Sequence, residues 1–382
     1  MISESSQHVL FRRPRMLTFI TTYKCGAVCD HCLMSCTPNN SDRLTLPQMR
    51  QFIDSFAEVC VGSGVAVFTG GECTLLGDDL LEAIAYANSL GLFTRIVTNA
   101  WWAKSERDAE TFLNELKSCG LDEINISCDD FHAEYIPLEN VRNLWNSAKT
   151  MGFQTLGIAV CRDNNSTISP AYLCKYLNED IPLLHQFDDN TQPPSAPARF
   201  ITDSGITRIG RARNLSLNQN ARPQARLLAS HCSDCGRDFV ISPNCHLAPC
   251  CGINAEGTWL FDLGKINLTD DINELQLLLL NYIQYIGPGG LLKHLRTSGG
   301  LSSFGRSSYL SQCEICEDIA LSKEAQTCLA KLAPKLAADL IVETKFETTF
   351  IGKGVRTISW TAPRRIQASC GTPSGSATRG TS

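Results

Sequence analysis

Three cysteines in one short run, Cys25-Gly-Ala-Val-Cys29-Asp-His-Cys32, are the residues of this sequence best placed to hold a metal. Thiolates are soft ligands, and this spacing lets a single loop deliver all of them to one centre. On a [4Fe–4S] cube they bind three irons and leave the fourth without a protein ligand, open to chelate a small molecule. Structural zinc is the plainer alternative, and it wants a fourth protein ligand and a closed shell. A second run, Phe68-Thr69-Gly70-Gly71-Glu72, has a different chemistry. Its glycines let backbone come close to a ligand, and its carboxylate suits an ammonium group. Two further apolar runs end in polar groups: Ile96-Val97-Thr98-Asn99, and Ile124-Asn125-Ile126-Ser127-Cys128-Asp129-Asp130.

A second cysteine group lies toward the C-terminus: Cys232, Cys235, Cys245, Cys250 and Cys251, then Cys313, Cys316 and Cys328. The chain has 19 cysteines in 382 residues. The N-terminus shows no continuous apolar export segment, since Arg12, Arg13, Pro14 and Arg15 interrupt it. The expected location is therefore the cytoplasm, where thiols stay reduced and serve metals rather than disulfides. A zinc ribbon built from Cys232/Cys235 and Cys313/Cys316 is an alternative, but the two pairs are far apart for a ribbon. The net charge of −5 offers no basic footprint for nucleic acid or an anionic membrane, and no apolar run is long enough to span a bilayer.

These groups need elements to hold them. Strand-like runs fall at 16–22, 65–69, 94–98, 123–127 and 155–160. Amphipathic helical patterns lie between them, such as Leu46, Met49, Phe52, Ile53 and Phe56 on one face. Ser105 reads as an N-cap, and Gly91, Gly120 and Gly152 sit where helices end. Such alternation predicts βα units on a parallel sheet, with a sixth unit between about 170 and 205. The Asn190–Pro194 stretch reads as a loop, Phe239–Cys250 as a hairpin turning at Ser242-Pro243-Asn244, and 270–340 as helical. The last twenty residues read as a disordered tail.

The cysteine trio after the first strand, with Gly-Gly-Glu after the second, resembles the radical S-adenosylmethionine (SAM) superfamily. That resemblance implies a partial (β/α)6 TIM-like barrel. It also implies a [4Fe–4S] cluster on Cys25, Cys29 and Cys32 whose free iron binds SAM, and an electron donor such as flavodoxin or ferredoxin. Gly70, Gly71 and Glu72 would receive the methionyl amine, while Asn99, Ser127 and Asp129 would reach the ribose and carboxylate, and His31 the adenine. His31 stands where the family usually has an aromatic residue, and Cys73 where it often has proline. The stretch from Cys235 to Cys250, with Cys313-x2-Cys316, resembles the SPASM or twitch extension. This implies a second, auxiliary [4Fe–4S] cluster on Cys235, Cys250, Cys313 and Cys316, with Cys232 an alternative to Cys235. Gly210-Arg211-Ala212 resembles a segment that recurs in SPASM-type proteins.

The expected organisation is an N-terminal segment (1–14), the barrel (15–212), the auxiliary-cluster region (213–340) and a C-terminal segment with the tail (341–382). The resemblance implies reductive cleavage of SAM to a 5′-deoxyadenosyl radical that abstracts hydrogen from substrate. The expected substrate is a peptide, to be oxidised, crosslinked or epimerised, and the short N-terminal segment is expected to hold no leader-binding domain. Oxidation or epimerisation of a sugar or aminocyclitol is a second reading, and a non-catalytic metal-binding scaffold a third. Cys245 occupies the extension's hairpin glycine position, either as a buried bystander or as a hydrogen donor. Asp130 and His132 are candidates for a general base, against the plainer reading of a polar cluster beside the ribose.

Overall fold

β-Branched and aromatic runs separated by one-faced helices have a simple way to bury both: strands side by side, with the helices packed over them. The computed structural model describes residues 14–60, 62–186, 198–215, 229–264 and 274–350, with side chains as far as 343. Six strands lie parallel and in chain order: β1 (Met16–Ile20), β2 (Val65–Thr69), β3 (Phe93–Thr98), β4 (Glu123–Ser127), β5 (Thr155–Arg162) and β6 (Ala198–Gly205). Between them run α1 (Leu46–Val59), α2 (Asp78–Ser89), α3 (Glu106–Ser118), the single turn α4 (Asp130–Ala133), α5 (Leu138–Ala148) and α6 (Pro170–Leu177). The helix ends follow the local chemistry. Thr45 and Gln48 make a capping box on α1, Ser105 accepts from the Asp108 N–H at the start of α3, and Gly91 ends α2 with φ of 77°.

Two more strands extend this sheet. β7 (Asp238–Ile241) runs parallel beside β1, with Met16 opposite Asp238 and Phe19 opposite Ile241, and β8 (Leu247–Ala248) returns antiparallel. The order is β6-β5-β4-β3-β2-β1-β7-β8, and among the described residues the sheet does not close. It is the open sheet of a partial barrel. Arg15 fastens the junction, its guanidinium donating to Asp238 at 2.7 Å and to Asp234 at 2.8 Å. The expected hairpin turn is therefore formed, and its first strand belongs to the main sheet. Phe19 and Phe68, both fully buried, stack at 5.3 Å between β1 and β2.

The remaining helices are α7 (Glu274–Tyr285), α8 (Pro288–Thr297), α9 (Gln312–Ala320) and α10 (Lys323–Phe350), the last running on past residue 340. Among the described residues, no helix is long and apolar enough to cross a membrane. The loop read at Asn190–Pro194 and the tail lie outside the described residues.

Candidate metal centre and ligand cleft

A parallel sheet puts the C-terminal ends of its strands on one rim, and there the first cysteine loop and the glycine pair meet. Gly71 donates its N–H to Thr22 O at 2.7 Å and Glu72 its N–H to Lys24 O at 2.9 Å, laying the two runs flat on each other. A Cβ on Gly71 would sit 2.1 Å from Lys24 O, so only glycine allows this approach. From the end of β3, the Asn99 side-chain amide donates to Cys25 Sγ at 3.6 Å. Beside Cys25 and Gly26 opens a cavity of about 610 Å³, lined also by Lys24, Leu75, Trp101 and Lys104. That volume suits a small ligand of nucleotide size.

The thiols here are buried and mutually repelling. Burial first, then Glu72 and Cys32, push Cys25 up to about 11; burial, then Cys25, Cys32 and Asp129, push Cys29 up to about 12. Cys32 goes the other way, to about 6, because the Cys36 thiol and the Cys36 N–H (3.4 Å) donate to its sulfur. Cys36 is correspondingly held up as a thiol. Buried thiolates that repel one another are stable together only around a cation, and that is the condition for a metal site. Cys36, 2% exposed, is a participant that motif spacing does not reveal.

Glu72 is placed differently from the expectation. Its carboxylate is 1% exposed and accepts from Thr74 Oγ1 (2.7 Å), Thr98 Oγ1 (2.8 Å), the Asn99 N–H (2.8 Å) and the Thr74 N–H (3.3 Å). Trp101 and Trp102 donate from their indoles to Thr74 and Thr98, closing the shell. The side chain is committed to the protein, and the glycines of this run pack against the backbone at Thr22 and Lys24.

At the end of β4, beyond half-buried Ser127, Asp129 caps α4. It accepts from the His132 N–H at 3.0 Å, meets His132 Nδ1 at 2.8 Å and lies 3.5 Å from His31 Nε2. These three side chains converge within 4.8 Å of one another. His31 stacks on Phe131 at 4.5 Å, and burial lowers its pKa to about 4, so it is neutral. Its Nδ1 is buried with no hydrogen-bond partner among the described residues. Asp130 instead accepts from the N–H groups of Thr167 (2.7 Å) and Ile168 (3.2 Å), which pins the loop after β5. That engagement, and the bond of His132 to Asp129, describe anchoring rather than a poised general base.

The family model of the radical SAM superfamily matches residues 19–165, the stretch from β1 to just beyond β5. The chain carries a radical SAM domain. YydG of Bacillus subtilis (strain 168), a protein named for peptide biosynthesis, is 26% identical over 145 residues, covering 37% of this chain and 45% of that protein. The PqqA peptide cyclase of Xanthomonas oryzae pv. oryzae (strain MAFF 311018) is 29% identical over 116 residues, covering 28% and 27%. The matches thus span less than half the length of these relatives. Among solved structures, native anSMEcpe with bound AdoMet aligns at TM-score 0.45 and 14% identity, covering 85% of this chain and 99% of that one.

A radical SAM domain works with a [4Fe–4S] cluster and SAM, and this one fits them: three thiols on one loop, an adjoining glycine cradle and an open cleft. Beyond the radical SAM domain, the second cysteine group converges as well. Cys235, Cys250 and Cys316 are buried, and burial followed by mutual repulsion raises all three thiols. Cys250 feels Cys251, Cys235, Cys313 and Cys232, while Cys316 feels Cys313, Cys235 and Cys232. A Cβ on Gly252 would meet Cys313 Sγ at 2.8 Å and Cys250 Sγ at 3.4 Å, so these two sulfurs flank one point. Cys232 stands beside Cys235 in this group, and the geometry leaves both within it. Cys245, 2% exposed, takes φ of 63° at the end of the turn after β7. Because β7 parallels β1, this turn lies on the same rim as the first cysteine loop. Cys73 is fully buried, with its thiol toward Val97 O, and is a packing residue.

Proposed function

We propose that this chain is a radical SAM enzyme that modifies a peptide. The observation that carries the reading is the meeting of the Cys25–Cys29–Cys32 loop with Gly70-Gly71 beside an open cleft. When bound, the cluster and SAM supply an electron and a 5′-deoxyadenosyl radical able to take hydrogen from an unactivated carbon. The chain's own residues do the rest. Cys25, Cys29 and Cys32 hold the cluster and leave one iron free, and the backbone of Gly70 and Gly71 gives SAM a close seat. Asn99 donates toward the first thiolate, and His31, with Asp129 behind it, receives the base and ribose.

A second cluster on Cys235, Cys250, Cys313 and Cys316 completes the proposal, with Cys232 close enough to replace Cys235. An electron donor such as flavodoxin or ferredoxin would serve the first. Two relatives named for peptide chemistry support the substrate class, through the domain they share with this chain. Cys245 is our candidate for returning a hydrogen atom to a substrate radical; Asp130 is occupied as an anchor.

The test is anaerobic reconstitution of the wild type and of a Cys25→Ala/Cys29→Ala/Cys32→Ala variant, each reduced in the presence of SAM. Wild type should hold about eight irons and form 5′-deoxyadenosine; the variant should keep about four irons and form none. Equal nucleoside from both proteins would leave a metal-binding scaffold as the better description. Four irons plus one zinc in the wild type would remove the auxiliary cluster alone.

A further inference from the structure

Residues 208–213, which follow β6, touch both the first cysteine loop and the helix that carries Cys313 and Cys316. On one side, Arg211 donates its backbone N–H to Cys32 O at 3.1 Å, Nη1 to Cys29 O at 2.7 Å and Nη2 to Cys36 O at 2.6 Å. Gly210 presses against the same loop: with φ of 58°, a Cβ there would fall 2.1 Å from Leu33 O. On the other side, the turn grips α9, the helix that carries Cys313 and Cys316. Gly210 donates its N–H to Glu317 Oε1 at 2.8 Å. Arg208 holds Glu314 through its backbone N–H (3.0 Å) and guanidinium (2.9 Å), and Arg213 reaches Glu317 and Asp318. Arg306 closes the network onto Glu317, Asp318 and the carbonyl of Arg208.

The network has a physical logic. Glu314 is fully buried between Cys313 and Cys316, and a buried carboxylate is stable only when paired and hydrogen-bonded. Three guanidiniums meet three carboxylates here, so the charges balance. Arg211 is the exception. Its guanidinium bonds are to carbonyls of the cysteine loop, and its positive charge is set down beside that loop. A cation there favours the more reduced, more negative state of anything the thiols hold.

We infer that residues 208–213 form a two-sided clamp that sets the first cysteine loop by reference to the helix bearing Cys313 and Cys316, with Arg211 as its positioning residue. The geometry of the clamp stands on the hydrogen bonds alone. Its bearing on redox potential rests on the proposed cluster at Cys25, Cys29 and Cys32.

The decisive variant is Glu317→Ala, because Glu317 contacts the turn and Arg306 but nothing in the cysteine loop; Glu317→Gln is the milder companion should the alanine variant unfold. In hydrogen–deuterium exchange on the full metal-free chain, residues 29–36 should exchange about fivefold faster, equivalent to one ordinary hydrogen bond lost. Exchange changed only within α9, with 29–36 as in wild type, would overturn the clamp. On reconstituted protein, Arg211→Ala should move the midpoint potential of the first cluster to more negative values, followed by electron paramagnetic resonance. Arg211→Lys, which keeps the charge but loses the fork, should fall between it and wild type. An unchanged potential in both Arg211 variants would overturn its role as a positioning residue for that centre. If the wild type binds no iron at the trio, the function proposed above fails, while the exchange measurement still decides the clamp.

Discussion

Asn99 Nδ2 points at Cys25 Sγ from 3.6 Å, so the end of β3 is hydrogen-bonded to the first thiol of a loop from which α1, β2, α2 and β3 separate it. The same residue's Oδ1 accepts from the Trp101 N–H at 3.0 Å, and its own N–H goes to Glu72. Hydrogen bonds to a ligating sulfur are among the levers on a cluster's potential. Asn99→Asp keeps the acceptor for Trp101 and sets a carboxylate against the thiolate in place of a donor. The expected result is a first cluster with a more negative midpoint potential and weaker retention of iron. A redox titration followed by electron paramagnetic resonance checks it, and an unchanged potential would separate Asn99 from the centre.

Glu72→Gln should be felt first as instability. The carboxylate is buried and takes bonds from Thr74, Thr98 and Asn99, and an amide cannot accept all of them. Charge-assisted bonds of this kind are worth roughly 1.5–3 kcal/mol, so a loss of about that size is expected in urea unfolding of the metal-free chain. Normal stability with a large loss of SAM affinity would instead return the carboxylate to the ligand.

Cys245 carries a left-handed backbone that glycine adopts freely and other residues adopt at a cost of about 1–2 kcal/mol. Cys245→Gly relieves that strain while losing a buried side chain; Cys245→Ala loses the sulfur and keeps the strain. The glycine variant should therefore melt above the alanine variant. The reverse order would mean that the backbone here is not strained. Cys245→Ala turned over with the true peptide substrate in deuterated water tests the hydrogen-donor role separately. Wild-type product with no carbon-bound deuterium would end it.

Asp262 should make the β7–β8 hairpin acid-sensitive. Burial opposes its ionisation, but His246 Nδ1 at 2.8 Å and the N–H groups of Gly257 and Gly264 outweigh burial and hold its pKa below the usual value. A depressed carboxylate stabilises the fold above its unfolded-state pKa of about 4, and that stability is lost as pH falls through the lower folded value. The metal-free chain should lose stability below about pH 4, and Asp262→Asn should flatten that part of the profile. A slope unaltered by the substitution would assign the acid sensitivity to other carboxylates.

What the sequence determined by itself was local. Strand runs, helix faces, the Ser105 cap and the glycine stops are written in nearest-neighbour chemistry, and they predict the parallel βα order directly. The cysteine spacing and the Gly-Gly-Glu run carried the family resemblance for the same reason: ligands on one loop need no distant partner to be recognised. Tertiary structure decided the rest. Strand pairing is a long-range choice, and nothing local says that β7 adds beside β1 and so brings the Cys245 turn to the rim of the first cysteine loop. Burial decided Glu72, whose carboxylate finds its donors in Thr98 and Asn99 on another strand and therefore turns inward. Cys36 and Arg211 gain their places only when the chain folds back, because a thiol beside Cys32 Sγ and a guanidinium across the carbonyls of Cys29 and Cys36 are relations of space that spacing along the chain does not encode.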